Sequence, residues 1–392
     1  MNSLNNNPVY LDGAATMPVD PEVIKVMISC LKDKKVFGNP SAMNPSGRNA
    51  MNKIDNARKQ LGDLLGVNAN DLIWTSGATE SNNLAIIGTA RYRAHIGRHL
   101  ITMSTEHKAV LGAFDFLEKE GFEVTKLSPN SKGLLSLQEL ENAIRDDTQI
   151  ISIMHVNNET GVIQDIDKIS SLCRQYGVLF HCDTAQSVGK IPFDLKDSPI
   201  DLLSVSAHKF YGPQGIGALY IKDINSSGLV PLFYGGEQEN WIRPGTLPLH
   251  QIVGFGLAAE LAKSRLNKDY RLMQDLHDYL WEGIMSISGI MYNGSRKSKF
   301  PGILNVSAPG VNGESLLFML ESISVAQGSA CNSRNNEPSF VLKELGLNDH
   351  QIQTAIRFSF TRHTTHKELD IVIQKYISAV EFLRKIAPDG MR

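Results

Sequence analysis

The chain has 392 residues, 42% of them hydrophobic, with 39 basic against 41 acidic side chains. That length supports a large core and two lobes, and the net charge of −2 excludes a nucleic-acid binder steered by bulk charge. No run approaches membrane-spanning length, residues 1–7 lack a charged and apolar leader pattern, and four cysteines show no paired or metal-like spacing. These features predict a soluble cytoplasmic protein with reduced thiols, no metal site and no direct nucleic-acid contact.

Taken in chain order, the first informative element is the apolar run at 72–75, followed by Ser76-Gly77-Ala78-Thr79-Glu80 and a helical pattern. Strand, glycine turn and helix start place backbone N–H groups at Ala78 and Thr79 where an anion such as phosphate can sit. Strands are expected at 100–103, 123–127 and 150–156, with helices at 109–120 and 166–176 between and after them. A further strand at 177–182 runs into Asp183-Thr184-Ala185-Gln186. A carboxylate at the carboxyl end of a parallel strand lies where open α/β sheets bind their ligands, although an isolated Asp there also serves as a helix cap.

The next apolar run, 200–205, opens directly into Ser206-Ala207-His208-Lys209-Phe210-Tyr211-Gly212-Pro213. A lysine at the mouth of a core strand is poorly explained by packing, because lysine is rarely buried. Desolvation lowers its pKa and frees a nucleophilic amine, the form that condenses with an aldehyde-bearing cofactor. The candidate is pyridoxal phosphate. Ser206 and His208 are suited to its phosphate, Asp183 to its protonated pyridine nitrogen and Gln186 to its phenolic oxygen. The alternating strands and helices predict a mostly parallel sheet flanked by helices. A long helix from 251 to 267 or beyond leads into a smaller α+β lobe with strands at 302–307, 324–325 and 356–360. In that lobe the polar loop Gly328-Ser329-Ala330-Cys331-Asn332-Ser333 presents a thiol that its small neighbours cannot hide. Cys30, Cys173 and Cys182 stand in apolar or helical contexts and read as buried and inert.

Cys331 after Gly-Ser-Ala, Lys209 in its Ser-x-His-Lys-x-Tyr-Gly-Pro run, His107 in Thr-Glu-His-Lys-Ala-Val and Asn158 in His-Val-Asn-Asn-Glu-Thr-Gly together resemble the group I cysteine desulfurases. The resemblance extends from Val9 to Ser359, in the family's order. It implies pyridoxal phosphate fold type I, with residues 18–265 as a large cofactor-binding domain and 1–17 with 266–392 as a small one. It implies removal of sulfur from L-cysteine to give L-alanine, with the sulfur held as a persulfide on Cys331 for a protein acceptor. His107 is then the imidazole over the cofactor ring and a proton carrier, Asn158 contacts cofactor and substrate, and Arg357 takes the substrate carboxylate. Asn39 either helps hold that carboxylate or serves only its turn. Thr246 matches a threonine that reaches the cofactor phosphate of the other subunit of a homodimer.

A selenocysteine lyase or an aminotransferase of the same fold is the alternative. The chain departs from the family pattern at Gly235-Gly236-Glu237-Gln238-Glu239-Asn240-Trp241, where a glycine and an arginine are lost and a carboxylate and a tryptophan gained. It also ends at Arg392, short of the tail with which the housekeeping enzyme docks its iron–sulfur scaffold. That scaffold is therefore not the expected acceptor, and tRNA thiolation, DNA phosphorothioation or another sulfur pathway is left open.

Overall fold

The computed structural model describes residues 8–192, 194–196, 198–224, 228–327 and 338–387. Its strands, in chain order, are β1 (Val9–Tyr10), β2 (Leu72–Thr75), β3 (His99–Met103), β4 (Glu123–Leu127), β5 (Thr148–Ser152), β6 (Leu179–Asp183), β7 (Leu202–Ser206) and β8 (Gly217–Ile221). There follow β9 (Met291–Tyr292), β10 (Ile303–Ser307), β11 (Ile323–Ser324), β12 (Ala326–Gln327) and β13 (Ala355–Ser359). A seven-stranded sheet carries the order β2-β8-β7-β6-β5-β3-β4. Its pairs from β7 to β4 are parallel, and β8 runs antiparallel to both its neighbours. β3, β5, β7 and β8 are buried at every position, as expected for a sheet covered on both faces.

Local chemistry sets the helix ends. Asp20 and Asn44 cap helices whose first residue is proline, Pro21–Lys32 and Pro45–Leu65, and Gly66 closes the second at φ 74°. The helix Ala78–Tyr92 buries most of its length, including Leu84 to Ala90, against β5 to β8, which explains its weak amphipathic pattern. The long helix is Leu249–Ile284. Ile252, Phe255 and Ala259 join the core of the large sheet, whereas Met273, Leu276 and Leu280 join a second core with β10 and β13. One helix thus serves two cores. β1 pairs with β11, and β12-β13-β10-β9 form a four-stranded antiparallel sheet beside it.

Two expectations are corrected here. The strand foreseen at 150–156 is regular only to Ser152: beyond it the Met154 N–H goes to the Glu106 carboxylate (2.7 Å), while Ile153 and His155 still donate to the β6 carbonyls of His181 (3.1 Å) and Asp183 (3.0 Å). The strand foreseen at 324–325 is two short strands broken at Val325, each in a different sheet. Among the described residues no helix is long and apolar enough to cross a membrane.

The segment that departs from the family pattern is held under strain. Glu239, Asn240 and Trp241 lie consecutively at φ 50°, 57° and 66°, a left-handed turn that costs about 1–2 kcal/mol per side-chain-bearing residue. The clamp is Glu239, whose carboxylate takes both terminal nitrogens of Arg58 (2.6 and 2.8 Å) and the backbone N–H of Trp74 (2.7 Å), with 3% of its side chain exposed. Arg58 also lies over the Trp74 ring. Removing one partner of a buried pair leaves the other charge unpaired. Glu239→Ala should therefore lower stability by about 3 kcal/mol in urea unfolding. Trp241 is 61% exposed and packs little. Trp241→Gly should relieve strain and raise stability by about 0.5–1 kcal/mol in the same measurement.

Candidate active site

A cavity of about 550 Å³ opens at the carboxyl ends of β6 and β7 and is lined by Ala78, Thr79, His107, Asn158, Asp183, Gln186, Ser206, His208, Lys209 and Arg357. These ten residues come from separate motifs. Lys209 sits in the single turn Ala207–Phe210 that follows β7, ended by Tyr211 at φ 68°. That strained tyrosine is braced: its hydroxyl accepts from the Arg362 N–H (2.6 Å), and the Arg362 guanidinium stacks 3.6 Å from its ring centre. The Lys209 ammonium donates to the Ala14 and Ala15 carbonyls (2.8 Å each). Burial, then the nearby Arg357 charge, lowers its pKa to about 8, while Asp183 and Asp12 pull the other way.

Asp183 ends β6. Its carboxylate accepts from Asn82 Nδ2 (2.7 Å) and the Ala185 N–H (2.9 Å), and no salt bridge involves it among the described residues. His107 caps the helix Lys108–Lys119 by accepting the Ala109 N–H on Nδ1 (3.1 Å), so the neutral ring carries its proton on Nε2. Burial lowers the His107 pKa, with Lys209 adding to that effect and Asp183 opposing it. His208 is pushed down to about 4 by burial and by the lysines at 209 and 190, and its Nδ1 meets Thr16 Oγ1 at 3.0 Å. Both imidazoles are neutral at neutral pH.

At the opposite wall, the helix Ala78–Tyr92 begins without a side-chain cap, so its first N–H groups are left for an incoming anion. Arg357 on β13 pairs with Asp12 (2.6 Å), donates to the Asn158 carbonyl (2.8 Å) and keeps its buried Nε unpaired. Its expected anion is thus partly supplied by the protein itself. Asn39 lies outside the cavity wall, exposed, with Oδ1 accepting the Ser41 N–H (3.0 Å) in its own turn. Thr246 is exposed and also away from this wall. Cys331 lies outside the described residues. Cys30, Cys173 and Cys182 are buried as expected, and burial raises all three thiols, Cys173 to about 12.

Four polar residues went unforeseen. Asn82 holds Asp183, and Asp12 holds Arg357. Lys190 meets Gln186 Oε1 at 2.8 Å, and Glu106 is fully buried beside Asp183 with its carboxyl pushed well above the usual range by burial. Asp12 meets a partner 345 residues away, which no periodicity signals, whereas Lys190 meets one four residues back, a spacing that could have been read.

The family described as aminotransferase class-V matches residues 9–372. Cysteine desulfurase IscS of Shewanella sp. (strain W3-18-1) is 48% identical over 382 residues, covering 97% of this chain and 95% of that protein. Among solved structures, a NifS-like protein superposes with a TM-score of 0.89 at 34% identity, covering 96% of this chain and 100% of that one. The structure described as SspA in complex with cysteine gives 0.81 at 38% identity, covering 91% of this chain and 100% of that one. The chain belongs to the cysteine desulfurases of the class-V aminotransferase family. Enzymes of this family use pyridoxal phosphate, and the large sheet with its appended small sheet is their fold type I arrangement.

The residues present fit that group. A desolvated amine, a buried carboxylate with no salt-bridge partner and an uncapped helix N-terminus line one cavity, matching an aldehyde, a pyridinium and a phosphate. The lowered Lys209 pKa has a direct consequence. Amine-selective labelling of Lys209 in the cofactor-free protein should rise through about pH 8, because only the deprotonated amine above its pKa reacts. Arg357→Gln should move that rise to higher pH, since the arginine charge helps to hold the pKa down. A rise centred near the ordinary lysine value, about 10.4, would contradict the desolvated setting.

Proposed function

We propose that the protein removes sulfur from L-cysteine to leave L-alanine, holding pyridoxal phosphate in this cavity and passing the sulfur through Cys331 to a protein acceptor. The observation that carries this reading is the meeting of Lys209 and Asp183 at the ends of adjacent strands in one cavity. Lys209 would bind the cofactor covalently. Asp183 would hold the ring nitrogen, Gln186 the phenolic oxygen, and Ala78, Thr79, Ser206 and His208 the phosphate. When bound, the cofactor supplies an aldehyde that condenses with amines and a cationic ring that accepts an electron pair.

The protein's own groups do the rest. The Arg357 Nε and guanidinium edge, with Asn158, orient the substrate carboxylate; Asn39 is proposed as a further contact to it. Lys209 Nζ, released by the substrate amine, takes the proton from the substrate α-carbon, an exchange suited to an amine with a pKa of about 8. His107, neutral and protonated on Nε2, moves protons on the other side of the site. The Cys331 thiolate attacks the substrate sulfur as the carbon–sulfur bond breaks. A persulfide forms on Cys331, and the remaining carbon skeleton is protonated to alanine. The named relatives support this chemistry, and the cysteine complex of a structural neighbour supports the substrate.

A homodimer completes the proposal, with Thr246 reaching the partner subunit's phosphate site, and a cytoplasmic location accords with reduced cysteines.

Two variants test the reading. Lys209→Ala should lose the visible cofactor absorbance and all alanine release. Cys331→Ser should keep the cofactor and bind L-cysteine, but form no persulfide, because a hydroxyl ionises far less than a thiol at neutral pH. Persulfide labelling and alanine assay separate the outcomes. Wild-type persulfide in Cys331→Ser would remove the thiol from the reaction and favour a lyase or transaminase reading.

A further inference from the structure

Lys190 ends the turn after β6, with its backbone N–H on the Ser187 carbonyl (3.0 Å) and only 8% of the residue exposed. Among the described residues its ammonium makes one hydrogen bond, to Gln186 Oε1 at 2.8 Å, and lies 5.8 Å from the Phe300 ring centre. No carboxylate pairs with it among the described residues. The charges that bear on it, Lys209 and Arg357, are both positive, and it in turn lowers His208. Burial and these cations hold its pKa well below the usual lysine range. A packing role would be served better by an apolar side chain of similar length.

The geometry of Gln186 supplies a role. An amide has two nearly isosteric ends, one accepting and one donating, and its neighbours decide which faces where. Here both ends agree: Lys190 donates to Oε1, and Nε2 donates to the Ala14 carbonyl at 2.8 Å. That same carbonyl receives Lys209 Nζ. Lys190, Gln186, Ala14 and Lys209 therefore form one hydrogen-bonded chain that ends at the reactive amine.

We infer that Lys190 is a positioning residue: it locks the Gln186 amide with its N–H₂ toward the cofactor's phenolic oxygen and toward the carbonyl that steadies Lys209. The inference rests on the cofactor reading given above. Without the Lys190 donor, the Ala14 carbonyl alone holds the amide, and Oε1 loses the partner that makes the flipped orientation, with an acceptor facing two oxygens, unfavourable at both ends. The charged and titratable groups around this chain are Lys209, Arg357 and His208, with Asp183 and Asp12 acting on Lys209.

The test uses the holoenzyme and the variant Lys190→Met, which keeps the stem and removes the donor. The variant should retain cofactor and match or exceed the wild-type Tm. It should lose about tenfold in kcat/KM, the scale of one misdirected hydrogen bond. The pH midpoint of the visible absorbance should rise by about half a unit or more, because a phenolic oxygen without its donor holds the linkage proton more tightly. In a Gln186→Ala background, Lys190→Met should add nothing further, since its effect runs through the amide. Should Lys190→Met fail to fold, Lys190→Leu, which likewise has no donor, carries the same expectation. An unchanged midpoint and kcat/KM, or additive effects in the Gln186→Ala background, would overturn the inference. Absence of any visible absorbance in the unmodified protein would instead overturn the cofactor reading itself.

Discussion

The site depends on keeping a lysine amine away from water without giving it a carboxylate to pair with. Among the described residues Lys209 bonds to two backbone carbonyls, and burial together with Arg357 lowers its pKa to about 8. The surrounding architecture serves that condition. β7 is buried at every position and delivers the lysine to the carboxyl end of the sheet, the strained Tyr211 turns the chain, and Arg362 braces the turn by stacking on that ring and bonding Asp20. Ala14 and Ala15, which receive the amine, follow Asp12, the partner of Arg357. The residues that receive the amine and the residue that sets its charge environment are thus tied to one short N-terminal segment. Displacing that segment would change the lysine's hydrogen bonds and its electrostatics together.

What the sequence disclosed follows a physical division. Lys209, Asp183 and the turn at Ala78 were legible because each ends a core strand or opens a helix, where a polar residue breaks an apolar pattern. The parallel sheet was legible from the alternation of strands and helices. The end of β5 was not, since Met154 continues the apolar run and its N–H, captured by Glu106, is diverted from the ladder while Ile153 and His155 stay bonded to β6. Asp12 and Arg357 are separated by 345 residues and Arg58 and Glu239 by 181. Neither pair has a local signature, because an ion pair across the fold leaves no period in the chain. Arg357 itself was legible as a buried cation in need of an anion, yet the nearest one is a protein carboxylate, leaving Nε and one edge for a ligand.

The segment 239–241 shows how a departure from family pattern is accommodated. Three side chains occupy a left-handed turn where glycine would be unstrained, and the turn persists because Glu239 is fixed by a guanidinium and a backbone N–H at once. The strain is offset locally, and Leu249–Ile284, which begins eight residues later, keeps its packing on both cores. Trp241, exposed at the apex, is free to vary in size without disturbing that anchor.

The thiol chemistry is constrained by the same electrostatics. The chain has four cysteines. Burial raises Cys30, raises Cys173 to about 12 with Asp201 adding to it, and raises Cys182 further under the charges of Asp183 and Glu106. A nucleophilic sulfur must ionise near neutral pH, and these three are held in the opposite direction. Cys182 is the instructive case: it precedes the very residue proposed to hold the cofactor ring, so proximity to the site is not what it lacks. The carboxylate that would stabilise a pyridinium destabilises a neighbouring thiolate. Burial and that carboxylate together make the end of β6 a poor place for a thiolate, which accords with the proposal that the sulfur nucleophile is Cys331, outside the described residues.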